Sequence, residues 1–468
     1  MPPGLPGCPR CEWLTEQLLL LSARVSELEE RLAANSKNSH KPPSSDGYTK
    51  PDPKSLREKT GRPSGGQAGH PGHTLAKVSL PDIIVTHRLT RCPCGCGTSL
   101  RHCPVVRHDT RQVFDLPPQK LVVTEHQAEV KVCPTTGREV SAAFPSGIDA
   151  PTQYGPRFSA WLVYLRAQQL IPLDRITQMS ADLFSQPISG STVQAAVAVA
   201  YRALECFEGR IANLLTRAPV AHADETGLRV AGKLHWLHVL STKLVTWYGV
   251  HRKRGSDAIE DFTILGRFTG RLIHDGLIAY FRLDCAHGLC NAHLLRELTF
   301  LHDVLHQDWA RSMKDLLVRM NRSVIDQKDR AGPMASVQSA AWTAKYEELL
   351  REGFAKNPFS APQGPRRRGR PAHTKAQNLL ARLELHQDSV LAFLRDSGVP
   401  FTNNQAERDL RMMKIQQKVS GAFRTFSGAV VFARVRSYLS TARKNNRDVF
   451  QDIVAALAGN PFIPSRAV

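Results

Sequence analysis

Three acids lie far apart along the chain, each where a carboxylate could be put to chemical use: Asp224, Asp275 and Glu407. Asp224 closes the run Ala218-Pro-Val-Ala-His-Ala, ahead of Glu225-Thr-Gly227, and is expected at the end of a first strand. Asp275 follows the short apolar run Leu272-Ile273 and precedes Gly276, a turn expected to lead into a helix. Asp284, in Arg282-Leu-Asp-Cys285, competes with it for the second place. Glu407 sits in Asn403-Asn-Gln-Ala-Glu-Arg408, in the first turn of a helix that Asn404 would cap. Hard oxygen ligands of this kind hold divalent cations, and carboxylates converging on one point repel one another unless cations neutralise them. The three are therefore expected to share one site for two ions, Mg²⁺ or Mn²⁺, with Asp224 bridging both, as phosphoryl transfer requires. A purely structural reading is open for Glu407, because Asn404-x-x-Glu407 also satisfies a capping-box pattern.

Other residue groups point to a polyanion. The formal net charge is +20, and nucleic acid is the simplest partner for it. Arg408 and Arg411, with Lys414 and Lys418 beyond, predict a DNA-facing helix after the third acid. Cys290-Asn-Ala-His293 and Arg296 lie between the second and third acids. They read as contacts to the scissile phosphate or a flipped base, as half of a metal site with no second half visible, or as a structural junction. Arg366, Arg367, Arg368 and Arg370 form a basic turn suited to a narrow minor groove, or a basic loop. A second metal is open as well: Cys92, Cys94, Cys96 and Cys133 would hold Zn²⁺ in a zinc-ribbon-like module, with Thr136 where the second knuckle would place its other ligand. The competing reading is a ribbon held by its own hydrophobic contacts.

The elements that must position these groups follow from patterning. Residues 12–34 place Leu14, Leu18, Leu21, Val25, Leu28 and Leu32 at coiled-coil spacing, which predicts a dimerising helix. A Lys/Pro/Gly-rich stretch then reads as a flexible basic linker. Residues 154–215 are helical in pattern. Asp174–Phe184, a break, and a helix capped near Ser189 give the outline of a helix-turn-helix. Lys233–Leu240 and Leu244–Val250 alternate as strands, so Asp224 opens a meander of the ribonuclease-H-like type. The expected organisation is multidomain α/β. It comprises a coiled-coil helix (1–36), the linker (37–79), the zinc-ribbon-like β module (80–147), and a helical DNA-binding domain (148–215). An RNase-H-like core follows in two parts (216–299 and 396–446), split by a helical insertion (300–395) and closed by a C-terminal tail (447–468). No apolar run approaches the ~20 residues that span a bilayer. No signal-peptide pattern opens the chain, and clustered cysteines favour metal ligation over disulfides, so a cytoplasmic, nucleoid-associated setting is expected.

Together these motifs resemble the DDE transposases of the insertion-sequence-66 family of bacterial mobile elements. The resemblance rests on Asn35-Ser-Lys-Asn-Ser with Pro42-Pro-Ser-Ser-Asp46, on Gly65-Gly-Gln-Ala-Gly-His70-Pro-Gly-His73, and on Tyr154-Gly-Pro-Arg. It continues through His222-Ala-Asp-Glu-Thr226, Cys290-x-x-His293, Pro400-Phe-Thr-Asn-Asn-Gln-Ala-Glu-Arg408 and Lys418-Val-Ser-Gly-Ala-Phe-Arg424. It implies an RNase-H-like catalytic domain with Asp224, Asp275 and Glu407 as its triad. It also implies a zinc-ribbon-like module, from which this chain departs because Thr136 replaces a cysteine. The activity expected is cleavage at the inverted ends of an insertion sequence and transfer of the 3′-hydroxyl strand to target DNA. Double-stranded DNA, a second copy of the chain (a homodimer or higher oligomer) and element-encoded accessory proteins are the expected partners. Two other readings stand beside it: a non-catalytic remnant acting as a repressor, and an RNase-H-like nuclease that never joins strands.

Overall fold

A computed structural model describes residues 9–35, 38, 75–329, 336–359 and 373–467. The chain opens with helix α1 (Pro9–Ala33), which begins earlier than its heptad pattern suggests. Leu14, Leu18, Leu21, Val25, Leu28 and Leu32 all remain exposed along it. Most of the stretch expected as a basic linker lies outside the described residues. A short antiparallel hairpin, β1 (Val130–Val132) and β2 (Glu139–Ser141), follows in the cysteine-bearing segment. The valines of this segment are largely exposed (Val106 96%, Val123 90%), so hydrophobic contacts of its own do not hold it.

Four helices come next: α2 (Pro156–Val163), α3 (Leu173–Phe184), α4 (Gly190–Ala203) and α5 (Glu205–Thr216). Pro156 starts α2 at a position where its missing N–H costs nothing. Tyr164–Gln168 continues α2 as a π-helical turn. Ser185, in the left-handed region at φ 52°, ends α3, and the Ser189 hydroxyl accepts from the Thr192 amide to start α4.

A five-stranded sheet forms the centre: β3 (Val220–Val230), β4 (Lys233–Ser241), β5 (Thr246–His251), β6 (Arg271–His274) and β7 (Ala286–Leu289). Helices α6 (Ser256–Asp261) and α7 (Thr263–Gly266) bridge β5 to β6. The spatial order is β5-β4-β3-β6-β7. β3, β4 and β5 are antiparallel, whereas β6 and β7 run parallel to β3. β3 runs straight through Gly227, which pairs with Trp236, and the reversal comes at Ala231-Gly232, both at positive φ. Such a pair matches the twist of a tight hairpin. Asp224 is therefore a mid-strand residue, not a strand-terminal one. The parallel ladder with β6 stops at His222↔Ile273, two residues short of both Asp224 and Asp275. The sheet opens there on one side and leaves room for side chains.

Helix α8 (Asn291–Asp303) leads into α9 (Asp308–Asp329), α10 (Ser336–Lys356), α11 (Lys375–Leu385), α12 (Gln387–Val390) and α13 (Ala392–Arg395). These pack around buried Trp309, Leu317, Tyr346 and Leu380 as a helical body whose core also takes in Ile273 of β6 and Leu289 of β7. The chain then returns to the sheet with α14 (Asn404–Ser420), α15 (Phe426–Lys444) and α16 (Val449–Leu457). One sheet face packs with α14 around Leu237, Val239 and Met413. The α2–α5 helices, α15 and α16 share another core with Ala221, Leu240 and Leu272. The last segment, expected only as a tail, thus contributes Val449, Ile453 and Ala456 to that core. Along the β5 edge, Ser437 Oγ accepts from the Tyr248 amide at 2.9 Å and Thr441 Oγ1 from the Thr246 amide at 3.1 Å. Helix α15 thereby satisfies outward-facing donors of an edge strand.

Candidate metal centre

Helix α14 lies along β3 and is tied to it at several levels. Asn403, just before the helix, donates through Nδ2 to the Ala223 carbonyl at 2.8 Å. Its Oδ1 accepts a hydrogen bond from His222 Nδ1 at 2.9 Å. Gln417 Nε2 donates to the Gly227 carbonyl at 2.8 Å. Past the helix, the Phe423 amide donates to Arg229 and the Ala231 amide to Phe423. The lengths match: 17 helical residues span about 26 Å, and Ala223 to Val230 about 23 Å. Asn403, not Asn404, is the residue preceding the helix, and its side chain makes no capping bond. The capping-box reading of Glu407 therefore fails, because its supposed cap is the first helical residue and Asn403 spends its side chain on β3.

Carboxylate oxygens of Asp224, Glu225 and Asp275 lie within 4.8 Å of one another. Asp275 follows β6 directly, and its Oδ1 accepts from the Leu277 amide at 3.1 Å. Gly276, at φ 97°, makes that tight turn possible, and a 3₁₀ turn at Tyr280–Arg282 follows instead of an α-helix. Asp284 is not among the clustered acids. Asp224 Oδ1 accepts from the Glu225 amide at 2.8 Å. Burial first, then Glu225 and Asp275, hold the Asp224 carboxyl well above the usual carboxylate range, with Glu407 adding in the same direction. Glu225 is raised by burial and by Asp275, against the opposing pull of Arg254. Arg254 grips it through Nε at 2.8 Å and Nη2 at 2.7 Å, and the Tyr280 hydroxyl donates to its other oxygen at 2.8 Å.

These residues fit a hard divalent cation. Oxygen ligands held about 2.0–2.6 Å from such an ion fall within the spread seen here. The mutual repulsion of buried carboxylates is the feature an ion relieves. Glu407 stands outside this tight group and is instead grouped with Cys290 and His293, whose ligand atoms and its own lie within 4.8 Å of one another. Cys290 and His293 thus have a companion that their spacing in the sequence does not reveal. Burial keeps the Cys290 thiol up at about 11, and its sulfur accepts from the Asn403 amide at 3.1 Å. Arg296 is half-buried on α8.

The sequence singles out Asp224 and Asp275 but gives no role to Glu225, Arg254, Tyr280 or Asn403. The adjacency of Glu225 to Asp224 is the available signal; the others come together only through the fold. Arg408, Arg411, Lys414 and Lys418 are all exposed on α14. Arg366, Arg367, Arg368 and Arg370 lie outside the described residues.

In the cysteine segment, Cys92, Cys94 and Cys96 form one cluster, with Cys92 and Cys94 sulfurs 2.9 Å apart. Cys133 is not part of it. The expected four-cysteine set is therefore not assembled. A hydrogen bond from Thr136, the residue standing where a cysteine was expected, lowers the Cys133 thiol instead. Bonding to Thr98 lowers Cys96 to about 6, where thiolate is available at neutral pH.

Residues 151–431 match the family described as Transposase IS66 family. Residues 90–135 match the zinc-finger binding domain of transposase IS66. Residues 11–76 match a family of unknown function. A search of curated proteins finds no match. Among the described residues, no helix is long and apolar enough to cross a membrane.

Proposed function

This chain belongs to the Transposase IS66 family, and we propose that it cleaves DNA at the inverted ends of an insertion sequence and joins the freed 3′-hydroxyl to target DNA. The observation that carries the reading is the convergence of Asp224 and Asp275 at the open end of the parallel ladder, with the Glu407 helix pinned over β3. The sheet order, antiparallel in its first three strands and parallel in its last two, supports an RNase-H-like core.

Asp224 and Asp275, with Glu407 from α14, would hold Mg²⁺ or Mn²⁺. When bound, such ions activate a water or a 3′-hydroxyl and stabilise charge developing on the phosphoryl oxygens. Asp224, the most central of the acids, would be shared between two ions. Glu225 belongs to the support of the site, because Arg254 and Tyr280 already occupy both of its oxygens. The protein contributes position and charge neutralisation, and no covalent attachment to the chain is needed. The exposed cations of α14 support a DNA-facing surface beside the acids. Helices α3 and α4, joined by the turn Ser185–Ser189, support a helix-turn-helix role in end recognition. The leucines left exposed on α1 support pairing with a second copy. For the cysteine segment, the family match and the Cys92–Cys94–Cys96 cluster support zinc.

The test is Asp224→Asn assayed on DNA carrying the element ends. Strand cleavage and strand transfer with Mg²⁺ or Mn²⁺ are lost while end binding stays nearly intact. Full nicking by this variant would overturn the assignment.

A further inference from the structure

Cys290 precedes α8 and His293 lies in its first turn, while Glu407 comes from the first turn of α14. Between these helices in sequence stands the whole α9–α13 body, yet sulfur, imidazole nitrogen and carboxylate oxygen meet within 4.8 Å. We propose that Cys290, His293 and Glu407 form a second metal site, one that takes a zinc-class ion and clamps the start of α8 to the start of α14.

Ligand chemistry selects the ion. A thiolate and an imidazole favour Zn²⁺ over Mg²⁺, whereas the all-carboxylate group around Asp224 has the opposite preference. Three protein ligands and an open fourth position are an ordinary zinc arrangement. Around tetrahedral zinc, the ligand atoms stand roughly 3.5 Å apart, so a contraction of at most about 1.3 Å from separations within 4.8 Å completes the site. The surroundings are already built for it. The Asn403 amide points at the Cys290 sulfur at 3.1 Å, and the Asn291 amide donates to the Phe401 carbonyl at 3.1 Å. Both bonds hold the two helix starts in register before any ion arrives. Binding replaces the thiol proton of Cys290, which passes to solvent.

The site stands on the Cys290–His293–Glu407 geometry, and because a carboxylate carries two oxygens, one oxygen of Glu407 can serve it while the other serves the Asp224 group. The experiment is a Co²⁺ titration of the metal-stripped full chain, followed by displacement with Zn²⁺. The parent background carries Cys92→Ser, Cys94→Ser and Cys96→Ser, which removes the clustered thiols of the other segment. A sulfur-to-cobalt charge-transfer band persists in this background and disappears when Cys290→Ser is added. Serine still offers the Asn403 amide an acceptor, and an unchanged circular dichroism spectrum confirms that the fold is kept. His293→Asn weakens Zn²⁺ binding by at least about tenfold. Asp224→Asn leaves the band in place, so failure of this site and failure of the cleavage reading are separate outcomes. Should the triple-serine background not fold, zinc content is compared between the native chain and its Cys290→Ser variant, which is expected to hold one ion fewer. A band unaffected by Cys290→Ser, or equal zinc content in the two proteins, overturns the proposal.

Discussion

The Asn403 side chain donates to the main-chain carbonyl of Ala223, 2.8 Å away and immediately before Asp224. This one bond sets where the first turn of α14, and with it Glu407, begins relative to the acid on β3. Asn403 is buried, and its other side-chain atom holds His222. Asn403→Ala is therefore expected to cost about 1–3 kcal/mol of stability, the range for stranding buried hydrogen-bonding groups. Cleavage should fall by about a hundredfold even where the fold survives, because a carboxylate displaced by about 1 Å loses its alignment. Denaturant unfolding and a nicking assay on the same preparation check both. Unaltered cleavage would remove Asn403 from the positioning of Glu407.

Asp224 is raised by burial and by like-charged neighbours, so its ionisation opposes folding in the absence of metal. A folded pKa above the unfolded one means that the folded protein binds the extra proton. Stability then falls as pH rises from the unfolded carboxylate value through the folded one. Asp224→Asn relieves this. In chelator at neutral pH its thermal midpoint should exceed that of the parent by on the order of 2 °C, with the gain vanishing below about pH 4. Mg²⁺ should raise the parent's midpoint and leave the variant's nearly unmoved. Thermal scans with and without Mg²⁺ test both halves.

His274 is fully buried, and burial with neighbouring His287 and His386 depresses it to about 3. Its Nδ1 accepts from the Gly276 amide at 3.2 Å, which leaves the Nε2 proton to face His287. Because the folded pKa lies below the ordinary 6.5, the unfolded chain takes up the proton first. The stability that His274 supplies is present above that value and drains away as pH falls toward 3, by at most about 1.4 kcal/mol per unit. His274→Asn should flatten this slope in denaturant titrations between pH 6.5 and 4. A slope as steep as the parent's would assign the acid sensitivity elsewhere.

Arg411, Lys414 and Lys418 are exposed on α14 and free to meet a phosphate backbone. Their combined replacement by glutamine is expected to weaken DNA binding at low salt with little dependence on sequence. The plot of log affinity against log salt should become shallower by about 0.9 for each phosphate that the variant no longer neutralises. Fluorescence anisotropy across a salt series measures this, and an unchanged slope would place the DNA on another face.

Legibility differs by element for physical reasons. The β3–β5 meander, α3, α4 and the helices after α8 follow from local periodicity and turn residues, which are written into neighbouring positions. Sequence leaves Asp275 and Asp284 in competition, and the parallel register of β6 is what carries Asp275 to Asp224. The strand end expected at Asp224 fails because Gly227 looks like a turn residue, whereas the real reversal is Ala231-Gly232. Asn404 has the spacing of a cap; Asn403 precedes the helix because its side chain has better partners on β3. The link from Cys290 and His293 to Glu407 crosses the entire helical body, and no local pattern encodes such a distance.

Helix α15 lays its Ser437 and Thr441 oxygens on the amides of β5. A sheet border sealed in this manner offers no template on which a visiting strand could zip up. Self-association through intermolecular β-bridging is closed at that border, so any union of copies there must work through interlocking side chains.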